Sequence, residues 1–208
     1  MNVEVFVLGD LSTNSYVLWD EGIGIVFDPG DHPDLIMQFL EENNISLLYV
    51  LNTHAHFDHI LGNNLLVSST KARLGVNELD SEILTNAFYN LSAYMSKPFY
   101  SVKPSLLLKD GDKLEFLDKE IFCIHTPGHT PGSSCFYLPT ENIIFTGDTL
   151  FKFSYGRTDL LGGNEVEMEN SLRKLYYMLN DEDICFPGHG ERFKFREVKL
   201  WLKEILRI

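Results

Sequence analysis

The sequence predicts an α+β fold in which two β-sheets pack together and are covered by helices. Short apolar runs alternate with glycine, proline and asparagine at the spacing typical of strands, and amphipathic helices stand singly between groups of strands. The same order, strands and then a helix, occurs up to about residue 66 and again from about residue 113. We therefore expect one domain over residues 1–208, with two halves that share a pattern but no evident sequence identity.

Strands are predicted wherever an apolar run of four to seven residues is bounded by turn residues. The segment 71–108 separates the two halves and is interpreted as an insertion. The predicted strands are residues 3–8, 15–20, 24–28, 46–51, 72–75, 113–117, 121–125, 134–138, 142–146 and 183–186.

Apolar stripes at helical spacing predict the helices, and we interpret these stripes as core-facing. Pro33 opens the first helix, which ends near Asn43. Asn164 is the expected N-cap of the second, and residues 198–205 give one face of a third at the end of the sequence. A further helical stretch is expected over residues 78–95.

Composition and charge exclude several classes of protein. Apolar residues make up 44% of the chain, which excludes an intrinsically disordered protein. The net charge of −13 argues against nucleic acid or an anionic membrane as a partner. The sequence shows no bilayer-spanning run and no features of a secretory signal. Because Cys123, Cys135 and Cys185 lie in or beside apolar runs, we expect buried thiols and a cytoplasmic location.

The segment from residue 53 to residue 59 contains four metal-binding side chains: His54, His56, Asp58 and His59. It follows an apolar strand, and a short helix is expected to start near Asp58. A loop of this kind can aim His54 and His56 at one ion, while Asp58 and His59 point to a neighbouring one. Imidazole and carboxylate ligands suit zinc, iron, manganese or cobalt.

Further candidate ligands follow other apolar strands in glycine-containing turns. These are His129, Asp148 and His189. Proline and glycine in such turns hold a side chain at a strand end rather than on a mobile loop. Two histidines are assigned other roles: His125 is expected to be structural, and His32 is expected to lie on the surface at a helix start.

Counting these ligands predicts two catalytic metal positions. One ion would take three nitrogens, a second would take a carboxylate and two nitrogens, and Asp148 would bridge them beside a shared hydroxide. Each ion keeps an open position, which is typical of catalytic sites. Asp58 could also orient the nucleophile. The two ligand sets are His54, His56 and His129, and Asp58, His59 and His189.

These motifs, in this order, resemble those of the metallo-β-lactamase superfamily. The likeness extends from the Asp-Pro-Gly turn at 28–30 to the Pro-Gly-His-Gly turn at 187–190. The resemblance implies a four-layer αββα sandwich and a dinuclear hydrolase in which a metal-bridging hydroxide is the nucleophile. Zinc is the expected metal, with iron or manganese as alternatives.

Within the superfamily the chain resembles small glyoxalase II-like hydrolases, through residues 145–151 and 156–159. This implies a small-molecule acyl thioester as substrate. Arg157 and Asp159 stand where that family tends to carry a lysine and a tyrosine for glutathione, and the sequence ends at Ile208 without the family's helical extension. We therefore expect glutathione thioesters to be weak substrates.

Arg157 and Tyr155 are the predicted substrate-binding residues. Arg157 has two interpretations: it binds a substrate carboxylate, or it pairs with Asp159 as a structural residue. Tyr155 could line the pocket or pack in the core. The aromatic side chains of the insertion could wall the substrate cleft or pack under the insertion, and we favour the first interpretation. They are Phe88, Tyr89, Tyr94, Phe99 and Tyr100.

Other functions stay open at this point. Persulfide dioxygenases share the implied fold and resemble residues 156–159, but they use a single iron held by two histidines and an aspartate. A lactone or other ester hydrolase needs the same parts as a thioester hydrolase. A metal-bearing scaffold without catalysis is a third class. The oligomeric state is not predicted.

Overall fold

The first β-sheet consists of β1 (Asn2–Leu8), β2 (Thr13–Asp20), β3 (Ile23–Phe27), β4 (Ser46–Leu51), β5 (Arg73–Asn77) and β6 (Leu106–Leu108). Their order in space is the order in the chain. β1, β2 and β3 form an antiparallel meander, whereas β4 runs parallel to both β3 and β5. Because parallel neighbours need a crossover, a helix follows β3 and another follows β4.

The computed structural model describes residues 1–208, and the chain divides into two compact units, Met1–Leu107 and Leu108–Ile208. In the first unit, α1 and α2 contribute Ile36, Leu40 and Leu66 to a buried cluster with Val26 and Val50 of the sheet. Pro33 begins α1, as predicted. The helices of this unit are α1 (Pro33–Glu42), α2 (Asn63–Thr70) and α3 (Ser81–Leu84), with 3-10 turns at Phe57–His59, Glu78–Asp80 and Ser92–Tyr94.

The second unit contains β7 (Lys113–Phe116), β8 (Lys119–His125), β9 (Ser134–Leu138), β10 (Ile143–Gly147), β13 (Ile184–Pro187) and β14 (Phe193–Lys194). The order across this sheet is β14-β13-β10-β9-β8-β7. It repeats the pattern of the first unit, because β8, β9 and β10 form an antiparallel meander and β10 then pairs with β13 in parallel. A small hairpin, β11 (Leu150–Phe151) with β12 (Ser154–Tyr155), stands apart from the sheet.

Two helices complete the second unit, α4 (Glu165–Met178) and α5 (Phe195–Leu206). The side chain of Asn164 caps α4 by accepting from the backbone N–H groups of Val166 and Glu167, as predicted. Leu172 of α4 and Leu202 of α5 belong to the buried cluster of this unit. No helix of the chain combines the length and the apolar character needed to cross a membrane.

The helix predicted over residues 78–95 is wrong. The segment contains only the 3-10 turn Glu78–Asp80, the short α3 and the 3-10 turn Ser92–Tyr94. Asparagine side chains break it, because Asn86 accepts from the backbone N–H of Phe88, and Asn90 accepts from that of Ser92. Such local bonds compete with the helical ladder.

The segment 71–108 is also not an insertion throughout. Its two ends form β5 and β6 and extend the first sheet. The sequence prediction missed β6, β11, β12 and β14, which are two or three residues long and therefore carry no clear period. The existence of the other strands and of the three longer predicted helices is confirmed. The single domain over residues 1–208 stays a prediction.

Candidate metal centre

In the loop after β4, residues with hydrogen-bonded backbone N–H groups alternate with predicted metal ligands. The N–H groups of Thr53, Ala55 and Phe57 donate to Asp28 Oδ1, Asp80 Oδ2 and the carbonyl oxygen of Asn90, at 2.7, 2.9 and 2.9 Å. The intervening positions are the predicted ligands, His54, His56 and Asp58. Residues whose backbone N–H is hydrogen-bonded thus alternate with the predicted ligands from Thr53 to Asp58.

The histidines of this loop form a compact buried group. The ring centroids of His54 and His56 are 4.9 Å apart, and those of His54 and His59 are 4.1 Å apart. Each of the three rings is at most 4% exposed. His59 belongs to the 3-10 turn Phe57–His59, and its carbonyl oxygen accepts from the side-chain amide of Asn52 at 2.9 Å.

Asp28 is part of this group, although the sequence analysis assigned it no role. Its Oδ2 lies 3.1 Å from Nδ1 of His59 and accepts from the hydroxyl of Thr53 at 2.7 Å. A carboxylate beside the second ring nitrogen is the usual partner of a metal-binding histidine and leaves Nε2 for the ion. The available signal was an aspartate ending the apolar run of β3 just before Pro29.

The carboxylate of Asp58 contacts a residue of β2 and a residue of its own loop. Its Oδ2 accepts from the hydroxyl of Thr13 at 2.7 Å and lies 3.3 Å from Nε2 of His59. Thr13 is buried and was not singled out by the sequence analysis. Asp28, His54 and His59 also offer ligand atoms within 4.8 Å of one another. The first unit thus gathers imidazole and carboxylate groups of the kind that bind transition metals.

The second unit gathers the other predicted ligands around one oxygen atom. Oδ2 of Asp148 lies 3.5 Å from Nε2 of His129 and 3.6 Å from Nε2 of His189. Two atoms bound to one tetrahedral ion at about 2.1 Å stand roughly 3.4 Å apart. Both distances therefore fit pairs of ligands on an ion, and the same carboxylate oxygen takes part in both pairs.

Parallel strands explain why Asp148 and His189 meet. They follow β10 and β13, whose carboxyl ends lie at the same edge of the sheet. The N–H of Gly188 donates to the carbonyl oxygen of Gly147 at 2.9 Å and joins the two turns.

His129 is fixed by two close approaches of the backbone. A Cβ on Gly128 would lie 2.5 Å from the backbone of Met168, so only glycine lets this turn meet the start of α4. A Cβ on Gly156 would meet the carbonyl oxygen of Asp148. Nδ1 of His129 donates to the carbonyl oxygen of Arg157 at 2.8 Å, which leaves its Nε2 facing Asp148.

The side chain of Arg157 forms the ion pair that the sequence analysis gave as its structural interpretation. Its Nε and Nη2 donate to the two carboxylate oxygens of Asp159 at 2.7 and 2.9 Å, and the guanidinium lowers the pKa of Asp159 to about 2. Tyr155 is half-buried and donates to Glu165 at 3.1 Å. Substrate binding by Arg157 and Tyr155 stays a prediction.

The remaining histidines and the cysteines take the places expected of them. Nε2 of His125 is 2.8 Å from the carbonyl oxygen of Pro131, and His32 is exposed at the start of α1. All three cysteines are buried free thiols. Burial raises the pKa of Cys123 to about 12 and that of Cys135 to about 11.

Residues 8–189 match the metallo-beta-lactamase superfamily, and the chain belongs to that superfamily. The α+β class and the metallo-β-lactamase fold predicted from the sequence are thereby confirmed. Metal binding is a property of this superfamily, and the His/Asp groups of both units fit it.

Several relatives share 30% identity with the chain, and two of them have names that describe an activity. One is the probable metallo-hydrolase YqgX of Bacillus subtilis, matched over 184 residues that cover 88% of this chain and 87% of the relative. The other is the hydroxyacylglutathione hydrolase GloC of Haemophilus influenzae, matched over 200 residues and 91% of each chain. The chain is accordingly similar to metal-dependent hydrolases along most of its length.

Solved structures show the same likeness. The B3 metallo-beta-lactamase BLEG-1 has a TM-score of 0.91 at 29% identity, covering 97% of this chain and 99% of that one. TTHA1623 in a di-iron-bound form has a TM-score of 0.83 at 29% identity, with 97% and 96% covered. ETHE1 from Myxococcus xanthus has a TM-score of 0.80 at 25% identity, with 100% and 85% covered.

Proposed function

We propose that the protein is a dinuclear metal-dependent hydrolase of small acyl thioesters. The observation that carries the proposal is the position of Asp148, whose Oδ2 is almost equally distant from His129 and His189. A carboxylate in that position suits a bridge between two ions. A mononuclear centre would leave His189 without a ligand role, so this geometry favours the dinuclear class over the persulfide dioxygenase alternative.

The ligand sets predicted from the sequence would hold two ions. His54, His56 and His129 would bind one, Asp58, His59 and His189 the other, and Asp148 both. Zinc is the proposed metal, with iron or manganese as alternatives, and the di-iron form of TTHA1623 supports iron. Bound ions would supply an acidified water and stabilise the oxyanion.

The chain's own residues would prepare these ligands. Asp28 and the carbonyl oxygen of Arg157 fix the rings of His59 and His129, and Thr13 fixes the carboxylate of Asp58. Asp58 would also orient the attacking water. In the reaction, the C–S bond of the substrate breaks, a C–O bond from water forms, and an acid and a thiol are released.

The thioester itself is proposed from similarity. GloC, named as a hydroxyacylglutathione hydrolase, matches this chain over 91% of its length, and the motifs at 145–151 and 156–159 point the same way. Arg157, however, is paired with Asp159, so a carboxylate of glutathione would have to compete for it. We propose substrates other than glutathione thioesters, and a cytoplasmic location in keeping with three reduced cysteines.

Metal analysis with an activity panel tests this function. We expect two ions per chain, hydrolysis of simple thioesters, loss of activity on chelation and recovery on adding zinc. His189→Ala should halve the metal content, whereas His32→Ala, an exposed histidine outside the ligand set, should leave it unchanged. One iron per chain with oxygen uptake on a persulfide would overturn the proposal, and so would cleavage of lactones alone.

A saturation curve for lactoylglutathione tests the thiol carrier. We expect the KM for lactoylglutathione to be higher than that for uncharged thioesters, because Arg157, paired with Asp159, contributes little binding energy. Low-micromolar saturation by lactoylglutathione alone would identify a dedicated glutathione thioester hydrolase instead.

A further inference from the structure

A cavity of about 100 Å³ lies in the first unit at the turn between β1 and β2. Most of its wall is apolar and comes from three parts of the chain: the β1–β2 turn, the 3-10 turn with the residues after it, and the segment before β6. The apolar lining residues are Leu8, Leu11, Phe57, Leu61 and Met95. An apolar wall of this kind binds aliphatic groups through burial from water.

The cavity adjoins the candidate metal centre directly, because Asp58 is one of its lining residues. The same carboxylate is held by Thr13 and lies 3.3 Å from Nε2 of His59. A group held in the cavity therefore lies beside a ligand of the proposed ion. This is where one substituent of a substrate carbonyl would lie during the reaction.

The charged side chains that line the cavity are all acidic: they are Asp10, Asp31 and Asp58, and no lysine, arginine or histidine lines it. Because Asp58 is a proposed metal ligand, a bound ion would offset its charge, so the negative charge of the wall would come from Asp10 and Asp31.

Contacts within the protein hold the wall of the cavity in place. The backbone N–H of Ser12 donates to the carbonyl oxygen of Gly9 at 3.1 Å and closes the turn. A Cβ on Gly9 would lie 3.2 Å from Cβ of Asp31, so the two segments are in close contact. The turn and the Asp31 segment thus pack against each other and keep both carboxylates at the cavity.

We propose that this cavity binds the acyl group of the substrate, that it takes an uncharged aliphatic chain, and that Asp10 and Asp31 exclude acyl groups ending in a carboxylate. The inference rests on the proposed hydrolase function and names its substrate class. Asp10 and Asp31 are exposed to solvent, so salt screens part of their repulsion, and the discrimination between acyl groups of the same length should be strongest at low ionic strength.

Two thioesters of N-acetylcysteamine, an uncharged thiol, test this selectivity. Pentanoyl and glutaryl groups have similar length and differ in a terminal carboxylate. At low ionic strength we expect kcat/KM to favour the pentanoyl thioester several-fold. The double variant Asp10→Asn with Asp31→Asn should bring the ratio close to one. Asparagine keeps an acceptor for the N–H of His32, which Asp31 binds at 2.9 Å.

A matched double variant controls for net charge. Asp34→Asn with Glu41→Gln removes two exposed acidic groups of α1 that do not line the cavity. It should keep the wild-type preference for pentanoyl. Equal loss of the preference in both double variants would show a general field of the acidic protein and would overturn the assignment to Asp10 and Asp31.

A second pair of variants tests the apolar wall. Leu11 is 52% exposed and lines the cavity, whereas Leu79 is 53% exposed and does not. Leu11→Ser should lower kcat/KM for the pentanoyl thioester several-fold more than for the acetyl thioester, and Leu79→Ser should keep the wild-type ratio. Identical ratios in Leu11→Ser and wild type would place the acyl group elsewhere.

The failure of this inference is distinct from failure of the proposed function. A wild-type enzyme that cleaves pentanoyl and glutaryl thioesters equally well would refute the acyl pocket and leave the hydrolase intact. A metal-loaded protein that cleaves no thioester would refute the hydrolase itself.

Discussion

The imidazole of His129 donates a hydrogen bond from Nδ1 to the carbonyl oxygen of Arg157, over 2.8 Å. The contact uses the backbone of Arg157, while its guanidinium pairs with Asp159 and is 61% exposed. Any side chain at position 157 keeps this carbonyl. The backbone of residues 156–159 therefore supports the candidate ligand His129, whatever the side chain at position 157. The guanidinium of Arg157 pairs with Asp159 and could instead bind a substrate.

Asp148→Ala should abolish hydrolysis, while Arg157→Ala should lower kcat/KM by about tenfold or less. Asp148 is the proposed ligand of both ions, whereas an exposed ion pair such as that of Arg157 with Asp159 stabilises a fold weakly. Metal content and kcat/KM for one thioester should be measured for both variants. An Arg157→Ala protein that keeps both metals and is as inactive as Asp148→Ala would require a direct role of the guanidinium in the reaction.

Asp28→Asn should weaken metal binding by about 10-fold to 100-fold. The substitution keeps the size of the side chain but removes the charge that faces Nδ1 of His59. A competition titration with a zinc-binding dye measures the change without relying on activity. Asp34→Asn, on the exposed side of α1, is the control and should bind metal as the wild type does.

Gly156→Ala should destabilise the protein by about 3 kcal/mol or more, because the new Cβ overlaps the carbonyl oxygen of Asp148. Urea unfolding measures the free energy. The control is Gly111→Ala, whose Cβ would meet nothing within 4 Å; at a φ of 82° it should cost about 1 kcal/mol. Equal costs for the two variants would show that the backbone around Asp148 is free to move.

The cysteines should react with a disulfide reagent only after unfolding. Burial raises the pKa of Cys123 from 9.0 to about 12, so at pH 8 about one thiol in ten thousand is a thiolate. The fold favours the protonated thiol. The contribution of the buried Cys123 thiol to the free energy of unfolding is therefore fully present below pH 9, and it is lost as the pH rises toward 12. A thiol that reacts within seconds in the folded protein would contradict this burial.

The assignment of the metal ligands stays a prediction, and the sequence offers these candidates because they carry their own signal. Histidines at spacings of two and three residues after an apolar strand are rare by chance, and the glycine turns mark His129 and His189 as strand-end residues. The long strands and amphipathic helices were predictable for a similar reason, since their apolar periods extend over several turns or pleats.

The residues that support the ligands could not be predicted in this way. Asp28 and Thr13 lie 31 and 45 positions before the side chains they contact, His59 and Asp58, and only the register of the sheet brings them together. The segment 78–95 misled the prediction because its apolar residues suggested a helix while its asparagines bond to their own backbone. In this segment, hydrogen bonds between asparagine side chains and the backbone outweigh the helix propensity of the apolar residues.

The alternation in the loop after β4 bears on how metal enters the protein. The backbone N–H groups of Thr53, Ala55 and Phe57 donate hydrogen bonds to Asp28, Asp80 and Asn90, and these bonds fix the backbone of the loop. Binding of the first ion would then cost the loop little conformational entropy. In this respect the loop would behave as a rigid chelator and not as a peptide that folds around a cation. We therefore expect one metal to replace another without unfolding, so that the metal content of the purified protein depends on the supply in the cell that made it.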